Sequence, residues 1–329
     1  MNGIQKVIKY CAMAFAILLS VAILGSIVMA VAGVTTGVFG VNTVVGENKE
    51  RVNLSEEYTI EEAKAQGITK ILVDCNAEII LEQGEKLAIE AYNVTEDYKI
   101  KCVDDTFRIV EDKSNFTIHW FWLPNATKQE KVVVTIPEEL EYEQIKVLSG
   151  SGAVSVNGVE AETLVLDSGS GRVAVDKVRA TYFLVDSGSG KVTVSDTVAS
   201  ETKFVTGSGA VTMNDSELGE LMLDTGSGAV SLNRIVAEDA EVDTGSGAVS
   251  VTGVLTGTCE FETGSGSLTI RLDGQEEEYR VKAECGSGTF RINGKKMEDG
   301  SYGSNVRGEL IIDSGSGSVN VEFNTPEGE

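Results

Sequence analysis

The sequence predicts an all-β protein: a β-solenoid of stacked two-strand coils with a 19-residue Gly-Ser-Gly repeat, preceded by a single N-terminal transmembrane helix. Three observations predict it. Gly-Ser-Gly recurs at a fixed spacing, apolar and polar residues alternate on both sides of it, and one long uncharged run opens the chain.

The opening run comes first. No charge lies between Lys9 and Glu47, and "CAMAFAILLSVAILGSIVMAVA" (11–32) supplies 22 mostly apolar residues. About 20 such residues span a bilayer as a helix. Lys6 and Lys9 precede the run, and positive flanks stay cytoplasmic. Residues 1–9 are therefore read as a short cytoplasmic tail and 10–32 as a signal-anchor in the lipid bilayer. The expected location is the cell membrane, single-pass, with the repeats outside. The rival reading is a cleaved signal peptide, for which "AVA" (30–32) has the small-x-small pattern. Signal peptides have an apolar region of only about 7–15 residues, so the uncleaved anchor is preferred.

Charge and rare residues narrow the function. The chain carries 27 basic and 51 acidic residues, for a net charge of −24. Such a surface repels nucleic acid. A single histidine, His119, gives a His-based metal site or a Ser-His-Asp triad little to build on. Cys75, Cys102, Cys259 and Cys285 lie in the exported part, and no pair has CxxC or zinc-finger spacing. No cofactor motif is found.

Residues 33–67 read as a charged linker with one short helix around Glu61–Gln66. Next, "ILVDCNAEIILEQ" (71–83) imitates "FLVDSGSGKVTVS" (183–195) with one residue fewer. Residues 68–145 are thus expected to be degenerate coils or a small β cap on the solenoid's first end, because open sheet ends invite aggregation. Within them "HWFWLP" (119–124) holds both tryptophans. It is either a plug over the open end or an exposed contact loop for a partner or the outer leaflet.

The regular solenoid spans 146–324, and 325–329 form a tail. Its markers begin at Gly150, Gly169, Gly188, Gly207, Gly226, Gly245, Gly264, Gly286 and Gly315. Six intervals are 19 residues, and the last two are 22 and 29. Apolar residues stand four and six places after each marker, as in Val173/Val175, and three before it, as in Leu166 and Phe204. A period of two is the strand signal. Each unit therefore reads as strand, Gly-Ser-Gly corner, strand, then a second turn. One unit cannot bury its apolar side alone, so units stack about 4.8 Å apart. The corner glycines are expected where φ is positive and stacked backbones approach closely.

"DTGS" at Asp243 matches the signature around a pepsin-like catalytic aspartate. That chemistry needs two aspartates facing each other and sharing a proton. Here "DSGS" or "DTGS" recurs at Asp167, Asp186, Asp224, Asp243 and Asp313, which gives a ladder rather than a facing pair. No catalytic residue is assigned. The aspartates are read as acceptors for the following turn's backbone, with a weak cation row along Asp167, Asp186, Asp224, Asp243, Glu262 and Glu284 as the other reading. Glu262 and Glu284 are expected to be neighbours. The outward residues after the corner are small and uncharged, as in Ala210/Thr212 and Ser267/Thr269. That face could dock a glycan chain or a second sheet, or simply be solvated.

The N-terminal membrane segment, "VVVTIPEEL" (132–140) leading into "IKVLSGSGAVSVNGV" (145–159), and the "LDSGSGRVAV" units resemble a bacterial β-strand-repeat family of unknown function, often described as putative adhesins. The resemblance covers about residues 68–324 and departs from regularity at 271–281 and 293–309. It implies an all-β solenoid in the cell envelope, commonly of Gram-positive bacteria, with no catalytic residues. The expected function is a membrane-anchored, extracytoplasmic, non-enzymatic binding or scaffolding module for an envelope glycan or protein. The alternatives are a self-associating structural solenoid and a carbohydrate-active β-helix enzyme.

Overall fold

Stacked strands set the architecture. In the computed structural model, which describes residues 50–112, 129–304 and 306–324, Glu160–Ser168 pairs in parallel with Arg179–Ser187. The register places Leu164 beside Phe183 and Leu166 beside Val185, an offset of 19 residues. Strands that run into the corner make one sheet face, called face A. Strands that leave it make face B, where Val173 lies beside Val154 and Val192. The anchor at 10–32, the cluster 119–124 and the tail lie outside the described residues. Among the described residues no helix is long and apolar enough to cross a membrane.

Inward columns are filled as the alternation requires. Leu164, Leu166, Phe183, Val185, Phe204, Leu221 and Val242 are all buried, as are Val173, Val175, Val192 and Val194 opposite them. Each such side chain contributes about 1.5–3 kcal/mol by leaving water. Phe183 and Phe204 meet edge to face with centroids 5.6 Å apart. Thr202 stands in a column otherwise apolar, and its buried hydroxyl has no partner.

The order of levels departs from chain order at both ends. Gly257–Thr263 pairs with Gly308–Ser314, and that strand pairs with Tyr279–Cys285. Face B repeats the exchange: Leu268–Asp273, then Ser318–Asn324, then Thr289–Ile292. The last coil in sequence is thus the last but one in space. At the other end Lys70–Asp74 lies between Thr106–Glu111 and Gln144–Ser149. Ten successive parallel pairings therefore join eleven strands on face A. Eleven levels make a stack about 50 Å long.

Antiparallel strands close both ends. Tyr98–Val103 and Leu87–Thr95 cover the first level. Gly300–Gly303 and Lys295–Met297 cover the last. Residues 51–58, expected as linker, form the strand Arg51–Tyr58 on the outer edge of Leu87–Thr95. Its alternate residues are only half buried, so the outer side keeps the charges that made it read as linker. The helix α1 (Ile60–Gln66) follows, opened by a Thr59/Glu62 capping box and closed by Gly67 at φ 68°.

The corner glycines correct one expectation. None of those in the Gly-Ser-Gly triplets has a positive φ. Left-handed backbone falls instead at the second turn, on Gly158, Lys177, Asp196, Asp215 and Arg234. Close approach is what excludes a side chain at the corner. A Cβ on Gly171 would overlap the carbonyl oxygen of Gly152, and one on Gly190 that of Gly171.

Deleting residues 207–225 removes one whole coil and brings Gly226 over Gly188. The shortened chain should fold, with a cooperative melt by circular dichroism, because each coil touches only its neighbours. Deleting ten residues from 207 should abolish that melt, since it misplaces every inward column. Equal damage from both deletions would refute the stacking.

Candidate functional site

The corner is tied from inside. The small residue before each triplet faces the core, as Ser168, Ser187, Thr206, Thr225 and Thr244 all do. The Ser168 hydroxyl donates to the Gly171 carbonyl at 3.1 Å, and Ser187 to Gly190 at 3.3 Å. At threonine corners the glycine N–H donates to the hydroxyl instead, at 3.0 Å for Gly209, Gly228 and Gly247. The ladder also continues through the turn, with Gly188 N–H donating to the Ser168 carbonyl at 3.0 Å. Cys285 occupies the same column at a later corner, and burial pushes its thiol up to about 11. Cys102, Cys259 and Cys285 are free thiols.

The acidic row therefore has a different role from the one expected, although it lies outward as the alternation requires. Asp167, Asp186, Asp224 and Asp243 project outward, and none accepts a hydrogen bond from its own corner. The hydroxyls hold that role because the strand alternation turns them inward, within reach of the third glycine. Asp167 lies beside Asp186, and Asp224 beside Asp243, with Val205 separating the two pairs. Glu262 follows Asp243. Glu284 is not next to Glu262, because Asp313 stands between them. Neighbouring carboxylates about 5 Å apart in water repel by roughly 1 kcal/mol. Among the described residues no three His, Cys, Asp or Glu side chains converge as metal ligands.

Two further outward rows on face A escaped the sequence reading, which stopped at the residue beside the corner. One row, four places before each triplet, runs through Leu72, Lys146, Val165, Leu184, Lys203, Met222, Glu241 and Glu260. The other includes Glu201, Glu220 and Asp239. The same 19-residue columns carried that signal.

Face B carries the small outward residues as a continuous row: Ser155, Ala174, Thr193, Thr212, Ser231, Ser250 and Thr269. A second row runs beside it, where the Asn233 amide donates to the Asn214 side-chain carbonyl at 3.0 Å. A shallow depression crosses Ser155, Ala174 and Thr193.

These features define a capped parallel β-solenoid whose outer surface is organised in rows. The chain belongs to the Toastrack DUF4097 family, a domain of unknown function, whose pattern matches residues 68–328. A crystal structure of a "putative lipid binding protein" from Parabacteroides distasonis is similar at 15% identity, over 83% of this chain and 98% of the other, with a TM-score of 0.51. A "putative adhesin" from the same organism matches at 13% identity, over 84% and 98%, with a TM-score of 0.47. One from Bacteroides fragilis matches at 15%, over 85% and 100%, with a TM-score of 0.39. No curated protein matches the sequence.

Two substitutions separate hydroxyl from carboxylate. Thr225→Val keeps the shape of the side chain and removes the tie to Gly228, so it should cost about 1 kcal/mol in chemical denaturation. Asp224→Asn should cost nothing, and should stabilise slightly at low salt by relieving repulsion from Asp243. The reverse ranking would return the corner to the aspartates.

Proposed function

We propose that this chain is a membrane-anchored, extracytoplasmic, non-enzymatic module, adhesin-like, that binds an envelope component through face B. The single observation that supports this most is the uninterrupted uncharged row from Ser155 to Thr269. Seven successive levels repeat one small residue at one spacing of about 4.8 Å, which suits an extended, repetitive ligand such as a glycan chain. Side chains this short lose little rotamer freedom on contact. The names given to similar folds, adhesin and lipid binding protein, agree with a binding role. The anchor is residues 10–32, oriented by Lys6 and Lys9.

Two measurements test the proposal. Protease added to intact protoplasts should digest the repeats, and full protection would overturn the topology. Residues 50–329, labelled at the C-terminus, should bind isolated cell envelopes saturably. The variant Thr212→Glu/Ser231→Glu/Ser250→Glu should lose at least about tenfold in affinity while still melting cooperatively, at a temperature only slightly lowered by repulsion along the row, because three like charges buried on binding would oppose contact. Unchanged binding by this variant would remove face B from the role.

A further inference from the structure

Each regular coil has a short third side between its second turn and face A. In Glu217–Thr225, Leu218 and Leu221 both face the core, and two residues, Gly219 and Glu220, stand between them where strict alternation allows one. The alternation slips there, and residues 217–219 and their equivalents are set off from face A. Parallel pairing stacks Arg179, Val198, Glu217, Val236 and Val254 in its outward row. A groove of about 580 Å³ runs across five levels of this side, from Ala180 to Thr256. Its floor is made of small residues, Ala180, Ala199, Gly219 and Ala237. A Cβ on Gly219 would overlap the Ser200 carbonyl oxygen, so the gap in the floor is built into the backbone. Val198 and Val236 line the groove, and Val236 is 46% exposed. The groove is also acidic. In the strand segments that form it, Glu201, Glu217, Glu220, Glu238 and Asp239 face outward against Arg179 alone. None of these glutamates has an ion-pair partner among the described residues. The flanking rows add no net positive charge. Lys177 and Arg234 stand with Asp196 and Asp215 at the turn, and Lys203 stands with Glu241 and Glu260 on face A. Arg307, past Thr256, is paired with Glu278.

We propose that this third-side groove docks a cationic amphipathic helix of a partner protein or peptide. Four level spacings make the groove about 19 Å long, the length of a helix of about 13 residues. Val198 and Val236 are two levels apart, about 9.6 Å, close to the roughly 10.5 Å between residues i and i+7 of a helix. An apolar stripe at that spacing seats on the two valines, and the small floor lets its backbone approach closely. Basic residues beside the stripe then meet Glu217 and Glu238 in the groove and Glu201 and Glu220 along its rim. An anionic or neutral helix would leave these carboxylates desolvated without a partner, so the charge selects the ligand. The surrounding acidic field attracts such a helix before contact. The groove lies across the second turn from face B, so the inference stands apart from the glycan reading of that face.

Fluorescence anisotropy with residues 50–329, one compact unit with its own core, tests this. The probe is a labelled leucine–lysine peptide of about 14 residues with leucines on one helical face and lysines on the other. Saturable binding of one peptide per chain is expected in about 50 mM salt, weakened at least about tenfold in about 500 mM salt. The same residues reordered so that no apolar face forms should bind at least about tenfold more weakly, although the charge is equal. Val198→Ser/Val236→Ser and Glu217→Gln/Glu238→Gln should each weaken the first peptide at least about tenfold, with cooperative melts retained. Asp224→Asn/Asp243→Asn removes two charges outside the groove and should leave binding within about twofold. So should Thr212→Glu/Ser231→Glu/Ser250→Glu, which alters face B alone. Equal binding of the reordered peptide would overturn the proposal, as would full affinity in either groove variant. An equal loss in the Asp224/Asp243 variant would reduce the effect to overall charge and overturn it too. Loss in the face B variant with the groove variants unaffected would place the peptide on face B instead.

Discussion

The distance between backbones at the Gly-Ser-Gly corner governs the rest of the solenoid. Each third glycine sits where a Cβ would run into the carbonyl of the coil before it in space. That packing lets the ladder hydrogen bonds pass through the turn unbroken, as from Ser189 N–H to the Gly169 carbonyl at 3.0 Å. Without it the two faces could not stay in register, and the inward columns would not stack. The constraint follows spatial order rather than chain order. A Cβ on Gly317 would meet Gly266, and one on Gly288 would meet Gly317, which retraces the exchanged levels. Ala77 stands where other coils have this glycine, and a Cβ on Gly152 would meet its carbonyl oxygen.

Much of this was legible. The period gave the coil, the alternation gave the two faces, and "ILVDCNAEIILEQ" gave a degenerate coil whose Asn76 Oδ1 accepts from Ser151 N–H at 2.7 Å. The exchange of levels was not legible, for a physical reason. Every coil presents the same inward columns, so Ile312/Ser314 and Ala283/Cys285 fit either level. Columns fix what a coil is and not where it stands. Only the insertions decide that. Tyr279, whose hydroxyl donates to the Leu255 carbonyl at 3.0 Å, and the antiparallel strands after Ile292 hold the Gly286 coil at the outer end. The space between is left for the last residues of the chain.

The reading of the corner failed for a related reason. Strand alternation turns the aspartates outward and the Ser/Thr column inward. The preference of Asp for turn hydrogen bonds predicts a carboxylate acceptor at the corner, and this geometry overrides it. An outward carboxylate points away from the corner it precedes, whereas a buried hydroxyl must find a partner inside it. Burial settles which of two capable side chains makes the bond. The positive φ placed on the triplet failed similarly: two reasons for glycine were joined at one corner, and the left-handed residues belong to the other, where Lys177 and Arg234 tolerate it in solvent.

Repetition also limits what chemistry these rows can perform. Residues of one column lie on parallel strands and point the same way, about 4.8 Å apart. Two carboxylates so placed repel one another, but they do not face across a substrate as an acid–base pair does. Asp243 therefore cannot reach a partner aspartate in the manner its "DTGS" suggests, since Asp224 and Glu262 flank it side by side. What a column can do is multiply one weak preference along the whole stack. A small hydroxyl becomes a long uncharged strip on face B, and a lone acid becomes a field on face A. Specificity in such a molecule belongs to the rows, and a motif search that looks for converging residues passes over it.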